Sequence, residues 1–510
     1  MTETSMVVPI SRTRRSAWSL TSGYLLFAVT ALTAFLAPPW LLPWLGSERF
    51  GAYKALLDWT SYLALLEFGI GGALLGSLAS KLAQRDASTI RHLLGMGSRA
   101  YMGAIPGMLL AGFVLVAVLP RMLHLRSVGV HELRVSALIL LVPLLFSPLL
   151  VFRSLAEVQQ RNYYVNLLSS FQLVLTTALW LAAARAGLGL PGQSWATAAG
   201  QILVLAILVW SGMRAYGMVF FQPYDREATE VLRGLRWPTF VHSITDRVGL
   251  VSDNVIVAWM LGATAVSPFY LTQQLPGAAQ FLLRGLGNAT WAGLAELTTM
   301  EGRSRLQPAL LDLTSIVSGL GLVFLVPIAA FNHHFVRLWV GPSNYAGSAV
   351  TVMTCVNVWL WSIYSLWGWL LLGTGHIARW VPYAAASTVV NLVISVIATR
   401  FAGMVGPVVG TLAAFLLLTS WALPRVLHRV FQLSPVGLWR TVMEPWKWGA
   451  FYTAGLWILA RMQPRLGWFQ LSAEMGAASL AGVALWWIVG LDRQGRTLWT
   501  NRARDVLGYR

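Results

Sequence analysis

Apolar runs of about 20 residues, the length needed to cross a hydrocarbon core of roughly 30 Å, recur from one end of the chain to the other. Divided at their polar and Pro/Gly-rich interruptions, they predict about 14 membrane-spanning helices, near residues 17–38, 52–79, 98–119, 135–155, 163–184, 194–213, 238–261, 265–291, 310–331, 347–373, 380–400, 404–424, 448–464 and 471–491. The thirteenth, within "MEPWKWGAFYTAGLWILARM", has charges at both ends and barely reaches crossing length. No connecting segment is long enough for a soluble domain. The pattern predicts an all-α, polytopic integral membrane protein.

The interruptions repeat. Leu45-Gly46 recurs as Leu261-Gly262, and "GIGGALLGSLA" from Gly69 recurs as "GLGNATWAGLA" from Gly285, a shift of 216 residues each time. The same shift carries Gly187 to Gly403 and Pro191 to Pro407. Six predicted spans separate equivalent positions, and an even number leaves both copies pointing the same way across the membrane. Parallel repeats in transporters are related by an axis along the membrane normal, with the substrate site at their interface. The repeat therefore predicts two parallel six-helix lobes, residues 1–219 and 238–430, around a central cavity and joined by a cytoplasmic linker at 220–237. Residues 431–510 carry two additional helices and a basic tail. Gly69, Gly71, Gly72 and Gly76 with Ala73 clear one stretch of helix for close approach of a neighbouring backbone. They lack the strand-turn-helix context of a dinucleotide fingerprint.

Composition adds compartment and sidedness. The 510 residues are 56% hydrophobic and 11% charged, with a mean hydropathy of +0.63 and a net charge of +18. Roughly 26 Lys/Arg fall on segments that a cytoplasmic N-terminus places inside and roughly 10 outside, the positive-inside asymmetry. With an even span count, both termini are expected in the cytoplasm. The opening "SRTRRS" and the tail "DRQGRTLWTNRARDVLGYR" are then topology anchors facing anionic headgroups, not nucleic-acid modules. No small-x-small cleavage site follows the first apolar run, so the first helix is expected to stay. Cys355 is the single cysteine, which excludes an intramolecular disulfide and a cysteine metal site. His333-His334, expected in an outer loop, has no further ligands at useful spacing, and no cofactor is implied.

Charges at membrane depth carry the candidate chemistry. An ionised side chain at the centre of a span costs about 2.5–3.5 kcal/mol on insertion scales, so it normally faces a protein interior or a wet cavity. Asp58 and Glu67 lie in the second span, on opposite faces if the helix is continuous. Lys54 stands one turn before Asp58, where an i,i+4 pair would neutralise it. Glu67 has no such cation, which leaves open a packed, hydrogen-bonded carboxyl or a proton or substrate site. The seventh span places His242, Asp246 and Asp253 at spacings of four and seven, one stripe with Arg247 beside it. That stripe suits a cavity lining; an amphipathic helix lying in the interface would read similarly. The first span, equivalent in the repeat, supplies Ser19, Thr21, Ser22, Thr30 and Thr33 for the facing wall. Arg153, with Glu157, closes the fourth span and Arg284 lies near the inner end of the eighth. Each either snorkels to headgroups or presents a planar donor to phosphate oxygens. Trp359, Trp361, Trp367 and Trp369 crowd the tenth span, as interfacial belts or, for one or two, as stacking surfaces for sugar rings.

Several motifs together resemble the Wzx-type polysaccharide or O-antigen flippases of the multidrug/oligosaccharidyl-lipid/polysaccharide exporter superfamily. "LGSERFGAYKALLDWTSYLALLEFGIGGALLGSLASKLAQRD" is similar to that family's opening signature, with Glu67-Phe68-Gly69-Ile70-Gly71 as its acidic-apolar-Gly run. "SDNVIVAWMLGATAVSPFY" resembles the start of the second lobe, although "AVSPFY" replaces the usual Gly-x-Tyr. "NHHFVRLWVGPSNYAGSA" and "NLVISVIATRFAGMVGPVVGT" resemble later segments, in the family's order. The resemblance implies two lobes of six helices plus two, and transport of an undecaprenyl-diphosphate-linked oligosaccharide from the cytoplasmic to the outer leaflet of a bacterial inner membrane. Membrane lipids, a polysaccharide polymerase and a chain-length regulator are the partners it implies.

Under this reading Arg247, Arg153 and Arg284 are candidate phosphate contacts. Asp246, Asp253 and Glu67 are candidate coupling sites, and His242, Asp58 and Thr30 are cavity-lining groups. Two rivals remain. A drug or cation antiporter of the same superfamily would share the fold. A membrane polymerase or glycosyltransferase would need paired acids on a large outer loop, whereas "RMLHLRSVGVHELR" offers only Glu132.

Overall fold

The computed structural model describes residues 12–83, 87–159, 162–217, 219, 230, 240, 252–298, 303–463 and 466–490, and among these no strand occurs. Helix α1 (Arg12–Leu36) is followed by α2 (Pro38–Leu45), whose leading prolines occupy first-turn positions where no N–H is needed. Gly46, at φ +85°, turns the chain into α3 (Ser47–Leu63). A 3-10 turn (Ala64–Glu67) and two left-handed residues, Phe68 (φ 53°) and Gly69 (φ 72°), separate α3 from α4 (Ile70–Ala83). The second predicted span is thus two helices with a break, and the rotation that set Asp58 and Glu67 on opposite faces of one helix does not apply.

The chain continues as α5 (Ala87–Met122), α6 (Val130–Leu141), a 3-10 stretch with two prolines (Val142–Leu150), α7 (Val151–Val158), α8 (Asn162–Arg185) and α9 (Gly189–Tyr216). Next come α10 (252–261), α11 (Ala263–Thr272), α12 (Gln274–Glu296), α13 (Arg303–Val340), α14 (Ser348–Gly373) and α15 (Val381–Ala402). The last are α16 (Gly406–Ala414), α17 (Ser420–Phe431), α18 (Pro435–Met443), α19 (Trp446–Met462) and α20 (Trp468–Leu485).

Nine stretches of the described residues are long and apolar enough to cross a membrane, and one of them, Val381–Phe431, holds two predicted spans. The other four predicted spans are the broken second, the seventh, which lies mostly outside the described residues, the eighth, divided into α11 and α12, and the thirteenth, the 17-residue α19. The repeat is visible in the backbone. Gly46 and Gly262 both take positive φ, 85° and 89°, and so do Gly187 and Gly403, 71° and 56°. These turns need a residue without a Cβ, which is why the glycine skeleton recurs.

By internal contacts the chain divides into two compact units, Met1–Ser267 and Pro268–Arg510. The proposed linker, 220–237, lies outside the described residues apart from Glu230, and so does the tail 491–510. In the first unit Ile70, Leu74 and Leu78 of α4 pack with Leu94 and Met108 of α5 and Phe152 of α7. In the second, α14 is the central element: Trp367, Leu370 and Leu371 are fully buried. The Trp367 indole donates to Thr314 Oγ1 at 3.0 Å and that of Trp359 to the Ser318 carbonyl at 3.2 Å, so these two tryptophans are core residues, neither belt nor stacking surface. In lipid the apolar effect does not distinguish a partner helix from acyl chains, so close packing and internal hydrogen bonds must supply cohesion. The α15–α16 pair shows this. A Cβ at Gly410 would sit 2.0 Å from Ser395 Oγ, and Ser395 donates to Asn391 Oδ1 (2.9 Å) and to the Pro407 carbonyl (3.2 Å). His333 and His334 lie within α13, not in a loop, and their rings pack edge-on.

Candidate functional site

Backbone that leaves the helical ladder at membrane depth must be buried in protein or line a wet cavity, because lipid cannot satisfy it. At the break after α3, the Phe68 N–H donates to the Leu65 carbonyl (3.0 Å) and Gly69 offers its carbonyl to the Ala73 N–H (3.0 Å). The left-handed conformation costs an L-residue such as Phe68 roughly 1–2 kcal/mol. Its ring is 43% exposed and meets that of Phe240 at 5.0 Å.

Glu67 closes the 3-10 turn, and the Tyr101 side chain of α5 is hydrogen-bonded to it. Tyr101 is 2% exposed. Gly71 leaves room for the pair: a Cβ there would lie 3.1 Å from the Tyr101 hydroxyl and 3.5 Å from Glu67 Oε1. A carboxyl set against a buried phenol can accept that hydrogen bond ionised or carry its own proton, the property a proton-relay group needs. On α7, Arg153 Nε and Glu157 Oε1 form an i,i+4 pair at 3.1 Å, and both charges act on the Tyr101 hydroxyl.

Asp58, on α3, accepts from Asn254 Nδ2 of α10 at 2.9 Å. Next to that amide, Asp253 Oδ1 is a buried atom with no hydrogen-bond partner among the described residues. Lys54 Nζ lies 5.5 Å from the Phe50 ring centroid and 5.4 Å from that of Trp180, within cation–π range. Tyr53 fixes the same helix by a hydroxyl–hydroxyl bond to Thr197 of α9. Thr30 stands on an exposed part of α1 and gives its hydroxyl to the Leu26 carbonyl one turn back, 2.7 Å away. In the second unit the Arg284 guanidinium lies 5.8 Å from the Trp361 ring centroid. His242, Asp246 and Arg247 lie outside the described residues.

The structure thus joins Asp58 to the seventh span, through Asn254, and Glu67 to the third, through Tyr101. Asn254 and Tyr101 carried no sequence signal beyond being polar or aromatic inside a span.

A further cluster holds the start of α3. Arg49 pairs with Glu132 of α6 through two bonds, Nε–Oε1 2.9 Å and Nη2–Oε2 3.2 Å, and Glu132 Oε1 also accepts the Leu190 N–H at 2.9 Å. Glu48 accepts the backbone N–H groups of Arg126 and Ser127 and the Ser127 hydroxyl. Burial opposes ionisation of Glu48, but those donors and the Arg126 charge outweigh it and hold the carboxyl below its ordinary range. The hydrogen bond to Glu132 keeps the Arg49 guanidinium above its ordinary value.

A family profile described as "Polysaccharide biosynthesis protein" matches residues 15–291, more than half of the chain. The chain belongs to this polysaccharide biosynthesis family. This family member is similar in fold to the solved structure "Lipid II flippase MurJ, inward closed conformation": TM-score 0.69 and 12% identity, over 92% of this chain and 99% of that one. It is also similar to an outward-facing multidrug resistance MATE family transporter of the MOP superfamily, with TM-score 0.54 and 14% identity over 87% of this chain and 96% of that one. MATE in complex with MaD3S gives TM-score 0.53 and 13% identity, over 87% and 97%. At such identities the likeness establishes a shared all-α, multi-pass membrane fold and nothing finer. No curated protein matches the chain by sequence. The motif-based resemblance and the fold agree: this member of the polysaccharide biosynthesis family shares the all-α fold of these solved transporters.

Proposed function

We propose that the protein is a flippase, moving an undecaprenyl-diphosphate-linked oligosaccharide from the cytoplasmic to the outer leaflet of a bacterial inner membrane for surface polysaccharide biosynthesis. The observation that carries this is the family match across residues 15–291; the similarity to a lipid II flippase supports it. The cargo's physics agrees. A sugar diphosphate cannot enter hydrocarbon without losing its hydration, whereas its polyprenyl tail is at home there, so a laterally open polar path lowers the barrier for the head alone. The two lobes, 1–219 and 238–430, alternate access to that path, with both termini cytoplasmic and the third part, 431–510, outside the repeat. Arg247, Arg153 and Arg284 contact the diphosphate. Glu67 against Tyr101, with Asp246 and Asp253, couples movement to an ion or to the membrane potential, and His242, Asp58 and Thr30 line the path. A polymerase and a chain-length regulator receive the product, and the protein itself makes and breaks no covalent bond.

Complementation tests this. A strain lacking the protein should accumulate lipid-linked oligosaccharide on the inner leaflet, and the wild-type chain should restore surface glycan. Asp246→Asn, Arg247→Ala and Asp253→Asn should insert normally and fail to restore it; full export by all three would remove the assigned machinery. The MATE-like fold favours one rival, a drug or cation antiporter. Drug resistance on overexpression with no change in surface glycan would select it.

A further inference from the structure

Arg284 is a charge at membrane depth whose position the structure makes specific. Such a charge needs an ion pair, water or a π face. Among the described residues no carboxylate forms an ion pair with it. Its guanidinium carbon lies 5.8 Å from the ring centroid of Trp361, within cation–π range. Trp361 belongs to α14, one of the stretches long and apolar enough to cross a membrane, and stands 13 residues after the first residue of that helix and 12 before the last. At 1.5 Å per residue this is about 18–20 Å from either end, so a side chain resting on the indole is held away from both headgroup layers. The sequence left snorkelling to headgroups open for Arg284; the contact with Trp361 removes it. Both residues belong to the unit Pro268–Arg510.

The indole is braced. The Phe415 ring meets it edge-on at 6.0 Å and 83°, and Phe415 in turn meets Tyr364 at 5.3 Å and 75°. The Tyr364 and Ser420 hydroxyls are hydrogen-bonded at 2.6 Å. Phe415 opens a π-helical turn, Phe415–Thr419, a feature frequent at functional sites, and the Thr419 hydroxyl is bonded to that of Ser387 at 3.0 Å. From the arginine's helix, Gly287 brings α12 onto α14: a Cβ there would lie 3.3 Å from Trp369 Cδ1 and 3.6 Å from the Leu366 Cα. A Cβ at Gly277 or Gly285 would meet nothing within 4 Å, so the backbone around Arg284 leaves space open. Trp359 and Trp367, on the same helix as Trp361, donate their N–H groups to α13 and are core. Trp361 is only half-buried and has a cation over its ring.

We propose that Trp361 is a positioning residue: it holds the Arg284 guanidinium near the middle of the membrane, beside open space on α12, ready for the diphosphate of the cargo. The proposal rests on the transport reading above, in which Arg284 contacts the diphosphate, and adds where that contact is made and what keeps it poised. A π face suits this task better than a carboxylate. It attracts the cation where water is scarce, yet it neither neutralises the guanidinium nor fills its N–H fork. A diphosphate, which accepts two parallel charge-assisted hydrogen bonds, then displaces the weaker contact. A carboxylate partner would have to be displaced by the cargo, one ion pair for another.

The test uses the purified full chain with undecaprenyl diphosphate as the probe, binding followed by native mass spectrometry, and undecaprenol, which lacks the phosphates, as the control. Trp361→Leu should weaken diphosphate binding about tenfold, while Trp361→Phe, which keeps a π face, should stay within about threefold of the wild type. In an Arg284→Ala protein, Trp361→Leu should cause no further loss, and undecaprenol should bind every variant alike. Equal weakening with and without Arg284 would mean that Trp361 acts through packing, and wild-type affinity in Trp361→Leu that it does not act; either result overturns the proposal. If Trp361→Leu does not fold, Trp361→Met takes its place. A cargo-free arm checks the open space: in a Cys355→Ala background, Gly285→Cys should react with a water-soluble maleimide in membrane vesicles, and no reaction in the folded protein also overturns the proposal. The flippase reading fails separately. Glycan export by the wild-type chain, with Trp361→Leu binding diphosphate normally, keeps that reading and removes the positioning role. Coupling between Trp361 and Arg284 on the probe, in a chain that restores no glycan, leaves the positioning role standing and removes the cargo.

Discussion

The second and eighth spans begin from one skeleton and part company within a few turns. Gly46 and Gly262 hold φ of 85° and 89°, and each opens a helix, α3 and α11. From there α3 runs unbroken to Leu63 and comes apart over Ala64–Gly69, whereas the eighth span breaks early, at Gln273, and then runs as one helix from Gln274 to Glu296. The causes differ. Pro276, in the first turn of α12, has no N–H to return to the preceding turn, and Asn332 Nδ2 donates to the Thr272 carbonyl at 2.9 Å, a neutral repair of a proline break. The second span has no proline. It is interrupted by left-handed Phe68 and Gly69, with a carboxylate, Glu67, at the edge. The repeat equivalents of Phe68 and Gly69, Arg284 and Gly285, are plain helix. A duplicated glycine has kept its place and changed what it does, permitting the turn at position 69 and only weakening a helix at position 285.

The comparison can be broken most forcefully at Asn332, fully buried and bonded also to Thr351 Oγ1 at 3.1 Å. Asn332→Leu leaves the Thr272 carbonyl without that donor and should destabilise the second unit by about 1–3 kcal/mol, read by thermal unfolding of the purified protein. An unchanged midpoint would mean the proline break needs no repair. In the first unit the matching change is Tyr101→Phe, which removes the hydroxyl from Glu67 and should cost a similar 1–3 kcal/mol or slightly less, since a carboxyl can take up a proton when its partner is lost. The two glycines sharpen the contrast by sign. Gly69→Ala must adopt a positive φ and should lose roughly 1–2 kcal/mol. Gly285→Ala adds a Cβ that meets nothing within 4 Å, and should gain about 0.5–1 kcal/mol from a stiffer helix. Equal signs would show that the two spans are not divided by backbone conformation.

How much of this was legible follows from which forces leave a mark on sequence. Span positions were, because an apolar run of crossing length has few other uses, and so was the repeat, because Gly46, Gly187, Gly262 and Gly403 hold φ values that other residues avoid. The break at Glu67-Phe68-Gly69 was not. "LLEFGIGG" contains no proline to mark a break, and its phenylalanine is of a type that rarely takes a positive φ. Asp58 and Glu67 stood out as carboxylates in lipid, but their partners could not be read. Asn254 is 196 residues from Asp58, and a tyrosine in an apolar helix looks like any core aromatic. Four tryptophans in the tenth span read as one group, and only burial separates Trp359 and Trp367, which pack inside the second unit, from Trp361 under Arg284. Of the seventh-span stripe, His242 and Asp246, with Arg247 beside them, fall outside the described residues, so their role rests on the proposal alone.

The smallest expected effect concerns pH and again separates the two spans. Glu48 follows Ser47 at the start of α3; its repeat equivalent, 216 residues on, is Thr264, which cannot ionise. Since the folded protein holds the Glu48 carboxyl below its ordinary range, the unfolded chain binds a proton more readily than the folded one. The stability it contributes is therefore complete above the unfolded value, about 4.3, and is lost as pH falls through the lower, folded value. Thermal midpoints should be level from neutral pH down to about 5 and fall below it. Glu48→Gln should flatten part of that fall, while Thr264→Val leaves the profile's shape unchanged. The shift will be modest, because a half-exposed carboxylate is screened by water and salt. If Glu48→Gln retains the whole acid-dependent loss, the dependence belongs instead to Glu132, whose bonds to Arg49 and the Leu190 N–H secure the same end of α3. The asymmetry between the spans would then lie one residue further along, at Arg49 and its neutral equivalent Ala265.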